Sequence, residues 1–282
     1  MNALKTTILL AALTGLVVSA GYWFGGRDGA TFAFVISLVM NLGAYWFSDK
    51  FALAAYRARE LPEQEAPHLH RMVAELAQRA GIPKPRVFMT DLPVPNAFAT
   101  GRNPSHAVVA VTRGLMETMN DRQLRAILAH ELGHIKNRDI LISSVAATLA
   151  GAISYLAQMA MWGGAIFGGR SSDREGGNPV GALAMIILTP IMATMIHLAI
   201  SRSREFHADE TGAEISGSPR DLADALKTLE AYAKRYPLHG EPKHEAMAHM
   251  FIVNPFDPTI IARLFSTHPS TEERVERLEK MG

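Results

Sequence analysis

The chain contains no cysteine among its 282 residues. That absence excludes a disulfide framework, a cysteine nucleophile and any thiolate metal site. A metal would have to be held by His, Asp or Glu. Net charge is nearly absent as well: 28 Lys and Arg against 27 Asp and Glu leave +1, which gives no footprint for nucleic acid. With 48% apolar and 20% charged residues, the averages are those of an ordinary globular protein and exclude a disordered chain, a collagen or a coiled-coil rod.

Charge is also missing locally. Thr6 to Phe24, Ala30 to Phe47, Ile140 to Phe167 and Val180 to Ile200 carry no Asp, Glu, Lys or Arg over 19, 18, 28 and 21 residues, with His197 the one interruption of the last. About 20 apolar residues at ~1.5 Å each cross the ~30 Å hydrocarbon core. The direct reading is four membrane helices in two hairpins. The first hairpin turns at Gly25-Gly26-Arg27-Asp28-Gly29, and the second through the Gly/Ser-rich stretch from Gly168 to Pro179. Ala146, Ala147, Ala150, Gly151 and Ser154 suit close helix packing, and Pro190 is placed to kink the fourth span.

Residues 1–20 also fit a signal peptide, with Lys5, an apolar run and Val18-Ser19-Ala20 before a cut. A second span following almost at once favours a retained hairpin. Buried core helices are a poorer alternative, since they rarely lack charge for so long. Lys5, Lys50, Arg57, Arg59, Lys136, Arg138, Arg202 and Arg204 lie on one side of the spans, against Arg27, Arg170 and Arg174 on the other. The richer side is expected to be cytoplasmic. The expected organisation is a first hairpin in 1–50, half of a catalytic domain in 51–139, a second hairpin in 140–200 and the other half in 201–282.

The polar segments read as α+β and mainly helical. Leu69, Met72, Val73, Leu76 and Ala80 place a helix over 66–80 with Gly81 as its stop. Arg86 to Thr90 and His106 to Thr112 read as strands, and Pro93 to Gly101 as a loop. Residues 121–137 and 221–235 read as helices, and Ser270 begins a last one with a capping box to Glu273.

The chemistry centres on His130-Glu131-Leu132-Gly133-His134. Positions i and i+4 share a helix face, so two imidazoles can bind one Zn²⁺ with the intervening Glu131 beside the water. A catalytic zinc needs a third protein ligand. The segment SRSREFHAD (201–209) supplies a candidate, Glu205, with Asp209 one turn later to accept the free N–H of a ligand imidazole. Two spans separate His134 from Glu205, which returns both to one side of the membrane. His134 precedes the third span by six residues and Glu205 follows the fourth by five, within about 10 Å of the lipid boundary if the helices continue. Such a site hydrolyses peptide bonds, with Glu131 as general base. His268, at a helix start, is a candidate oxyanion donor.

HELGH, SRSREFHAD, NAFATG (96–101), MFIVNP (250–255) and THPSTEERVERL (267–278) together resemble the HtpX group of membrane metallopeptidases, relatives of the Ste24 and Oma1 type. The resemblance covers nearly the whole chain. It implies a zincin-like cytoplasmic domain with one Zn²⁺ per chain, held by His130, His134 and Glu205, with Glu131 as base. It places Asp209 behind a ligand histidine, His130 foremost. It further implies an endopeptidase of the bacterial inner membrane that acts on misfolded membrane proteins, with Asn96 and Ala97 as substrate contacts and the 106–112 strand beside an extended substrate.

Other histidines read more plainly. His197 suits interhelical hydrogen bonding, His207 points away from the Glu205 face, and His239, His244 and His249 fall in a loop-rich stretch. A metal-binding membrane transporter and a non-catalytic membrane protein with a structural zinc site are the rival readings. Glu131 separates them from a peptidase.

Overall fold

The computed structural model describes residues 2–141, 202–237, 251–253 and 269–282. Helix α1 runs Asn2–Ala55. A straight helix would hold Thr14 and Asn41 about 40 Å apart. Instead, Asn41 Nδ2 donates to Thr14 Oγ1 at 2.8 Å, 27 positions away. The chain therefore doubles back, and Gly26, at φ +59°, takes the left-handed conformation that a side chain would resist. This matches the expected turn at 25–29. Gly26–Phe47 is long and apolar enough to cross a membrane, with mean hydropathy 1.6. Phe32, Val39, Leu42 and Trp46 are half or more exposed along it, a patch that suits lipid. The third and fourth expected spans, with His197, lie outside the described residues, as do His239, His244 and His249.

The remaining elements form a mainly helical domain around a small mixed sheet. Strands β1 (Arg59–Glu60), β2 (Arg86–Thr90), β3 (Ala97–Thr100) and β4 (Val108–Thr112) lie in the order β1-β2-β4-β3. The β2–β4 pair is parallel and runs from Arg86 opposite Val108 to Thr90 opposite Thr112. The β3–β4 pair is antiparallel, with Ala97 opposite Val111. Helices α2 (Pro67–Ala80), α3 (Arg113–Thr118) and α4 (Asp121–Lys136) follow the chain through the first half. Helices α5 (Arg202–Ser216), α6 (Pro219–Arg235) and α7 (Thr271–Glu279) belong to the second.

Local chemistry sets these limits. Gly81 at φ +70° closes α2, as the sequence predicts. Asn120 and Gln123 form a reciprocal capping box at the start of α4. The Ser270 side chain accepts from Glu273 N at the start of α7. Strand β4 is buried on both faces, so its VVAVT run lacks polar alternation. Val109 and Val111 face a core shared with Leu69, Leu76, Leu128, Leu132 and Leu222. Val108 and Ala110 face a second cluster of Leu53, Tyr56, Phe88, Phe98 and Phe251. The end of α1 thus docks directly on the sheet, with Tyr56 and Phe98 ring centroids 4.6 Å apart.

Two expectations change. The predicted loop 93–101 contains strand β3, a four-residue Ala-Phe-Ala-Thr segment too short to signal a strand by itself, which forms because β4 offers a partner. The predicted strand 106–112 begins at Val108, after a 3₁₀ turn over Pro104–His106 capped by Asn103. Leu76 of α2 is fully buried in the main core. Leu76→Ala is expected to cost about 2–5 kcal/mol, read as a lower thermal midpoint in detergent at constant protein concentration.

Candidate metal centre

Helices α4 and α5 cross at backbone contact. A methyl group on Gly212 would sit 2.7 Å from the His130 Cα, and one on Gly133 would sit 3.0 Å from the Ala208 carbonyl oxygen. Only glycine permits this approach. Glu205, Asp209 and Gly212 recur at i, i+4 and i+7, on the face of α5 that meets α4.

The crossing gathers the predicted ligands. Ligand atoms of His130, His134 and Glu205 all lie within 4.8 Å of one another. His130 Nε2 is 3.8 Å from Glu205 Oε2, and His134 Nε2 is 3.6 Å from Glu205 Oε1. Behind the ligands, His130 Nδ1 is 2.9 Å from Asp209 Oδ1, and His134 Nδ1 is 3.2 Å from Asp139 Oδ2. The His134 Nδ1 hydrogen bond to Asp139 favours the Nδ1–H tautomer and turns its Nε2 lone pair toward the site, whereas His130 Nδ1 lies close to Asp209 without hydrogen-bond alignment.

This donor set fits a divalent cation in a second respect. Among the described residues, the buried acidic groups are Glu131, Asp139, Glu205 and Asp209, and the buried basic groups besides histidine are Arg204 and Arg274. All six lie in or around the site, and their formal charges sum to −2. A divalent cation would offset that excess, as would protons on the site's own histidines.

Glu131 is also buried. Burial raises its pKa, the His130 and His134 charges oppose that shift, Glu205 adds to it, and a hydrogen bond from the Ala99 backbone lowers it again; the net is upward. Burial acts to lower the His134 pKa, but the Asp139 hydrogen bond and the Glu205, Glu131 and Asp139 charges push it up to about 9. For Asp209, burial acts to raise the pKa and is outweighed by the Arg274 charge and hydrogen bonds, so it stays below the usual carboxylate range.

The contact with Ala99 places β3 beside Glu131. Thr112 N donates to Asn96 O at 3.0 Å. By the alternation of an antiparallel ladder, Phe98 and Thr100 also turn their backbones to β4, and Ala97 and Ala99 turn theirs to the other edge. Strand β4, expected to lie beside a substrate, has both edges paired, to β2 and β3. The edge nearest Glu131 belongs to β3.

Asn96 and Ala97, expected as substrate contacts, have buried side chains at 1% exposure each. Asn96 Oδ1 accepts from Ile252 N at 3.1 Å, and its backbone N–H donates to Thr112 Oγ1 at 2.8 Å. His207 is exposed and lies 3.8 Å from Glu210, away from the ligands as expected. His268 lies outside the described residues.

The sequence reading missed Asp139 and Arg274. Asp139 follows His134 by five positions and could have been found as a carboxylate just past a ligand. Arg274 gave no such signal, because it sits in a run of exposed-looking charges, Glu272 to Arg277.

The model of peptidase family M48 matches residues 63–282. The chain is 55% identical over 283 residues to a Protease HtpX homolog of Persephonella marina, covering 100% of this chain and 98% of that one. It is 55% identical over 279 residues to a Protease HtpX homolog of Pyrococcus furiosus, covering 99% and 95%. The crystal structure of S. mikatae Ste24p is similar in fold, with a TM-score of 0.54 at 19% identity over 98% of this chain. The chain spans 65% of that protein's length. The chain belongs to peptidase family M48. It is a metalloendopeptidase.

Gly212→Ala is expected to push α5 off His130 and reduce bound metal to well below one ion per chain, as measured by elemental analysis of the purified protein. Full metal content would show that the helices tolerate wider spacing.

Proposed function

We propose that this chain is a multi-pass zinc endopeptidase of the cytoplasmic membrane, with its catalytic domain and both termini in the cytoplasm. The observation that carries the reading is the convergence of His130, His134 and Glu205 beside a buried Glu131. Zinc fits two imidazoles and a carboxylate. The ion supplies Lewis-acid polarisation of the scissile carbonyl and makes water acidic near neutral pH.

The protein's own groups do the rest. Asp139 holds His134 through a hydrogen bond at Nδ1, and the Asp209 carboxylate lies against His130 Nδ1. Glu131 takes the water proton on its carboxylate and later delivers it to the leaving amine nitrogen. Its raised pKa suits it to carry the proton between the two steps. The outer edge of β3 at the partly exposed Ala99 is where an extended peptide adds as a further strand, with its scissile bond toward Glu131.

The apolar Gly26–Phe47 segment and the docking of α1 on the sheet support a site close to the bilayer. Misfolded or damaged membrane proteins are the substrates this placement favours, and the role is quality control. The transporter and structural-zinc readings give Glu131 no task.

Glu131→Gln should slow cleavage of unfolded casein by about 10²–10⁴-fold with one zinc per chain retained. Cleavage at the wild-type rate would overturn the peptidase mechanism. In Glu205→Ala, metal analysis should give a clear loss of zinc. Chelation of the wild-type protein should abolish cleavage, and added zinc should restore it.

A further inference from the structure

Arg274 is among the most deeply buried large side chains of the protein, at 1% exposure. Its Nε donates to Asp209 Oδ2 at 2.8 Å and its Nη2 to Asp209 Oδ1 at 2.6 Å. Its Nη1 donates to the Ile252 carbonyl oxygen at 3.1 Å. Ile252 N in turn donates to Asn96 Oδ1, next to the start of β3. One guanidinium therefore joins α5, the 251–253 segment and α7 directly behind His130, and reaches the β3 entry through Ile252.

A contribution to stability does not account for this arrangement. A buried ion pair is often no better for stability than apolar residues of the same volume. The geometry accounts for it better. A carboxylate torsion is broad, so Asp209 alone would not hold a fixed plane. The planar fork of Arg274 grips both Asp209 oxygens. It leaves Oδ1 2.9 Å from His130 Nδ1.

We propose that Arg274 is a positioning residue of the metal centre. It fixes the Asp209 carboxylate, and through it the ring orientation of His130, and it ties this clamp to the chain entering β3. The proposal rests on the reading of His130 as a metal ligand.

Orientation and simple electrostatics make opposite forecasts. Arg274 Nη1 is 3.8 Å from Glu205 Oε2, and Nη2 is 3.5 Å from His130 Nε2. A positive charge so close repels a cation. If charge were its main effect, removing it would tighten metal binding. If Arg274 acts by orientation, losing the fork weakens metal binding whether or not the charge is kept.

The test uses the full chain in detergent as wild type, Arg274→Lys, Arg274→Gln and His130→Ala. Zinc affinity is measured by competition with a chelating dye, and the melting temperature of each metal-free protein is recorded. Arg274→Lys keeps a cation beside Asp209, and Arg274→Gln keeps a hydrogen-bond donor, so either one that folds carries the test. Both are expected to raise the zinc dissociation constant about 10–100-fold, the range for outer-shell partners of metal ligands. A dissociation constant within twofold of wild type with a lowered metal-free melting temperature would make Arg274 merely structural. Tighter zinc binding would also overturn the proposal. Wild-type affinity in His130→Ala would instead overturn the metal-centre reading itself.

Discussion

The backbone contact between α4 and α5 is the constraint from which the site follows. Two helices normally pack 8–10 Å apart with side chains between them. Here Gly133 and Gly212 remove those side chains at the crossing. The ligands of one helix then reach the ligand of the other without leaving their own helical registers. The HExxH spacing fixes His130 relative to His134, and the crossing fixes both relative to Glu205. The crossing also seals Glu131 away from water, and that burial raises its pKa.

The sheet serves the same geometry from the other side. Strand β4, buried on both faces, is its rigid centre. It holds β3 in register, and β3 brings the Ala99 backbone to Glu131. Tyr56 at the end of α1 packs on Phe98 of β3. A single layer of contacts thus runs from the N-terminal hairpin through the sheet edge to Glu131. In such an arrangement the hairpin locates the site as well as carrying apolar surface.

Much of this was legible in the sequence because the informative features are local. The i, i+4 histidines, the Gly81 stop, the RVFMT strand and the Gly25–Gly29 turn each depend on residues close together in the chain. Glu205 and Asp209 were singled out because two ligands require a third and a ligand often needs a carboxylate behind it, and the fold brings both next to His130. What escaped depends on distant partners. Strand β3 is only four residues long and owes its form to β4. Asn96 was expected to contact substrate, yet its amide oxygen is taken by Ile252, 156 positions away. Arg274 looked solvated, because nothing in a charged helix tells which arginine turns inward until Asp209 is seen opposite it.

The chain order of the buried cluster has a consequence for biosynthesis. Arg274 comes 144 residues after His130, and Glu205 lies between them. At about 5–20 residues per second, the ribosome needs on the order of ten seconds to make that stretch. During this interval the HExxH helix already exists, but the third ligand and then the arginine behind the first are still to come. The cluster around His130 therefore closes only after residues made much later have reached it, and the order of the segments sets that delay.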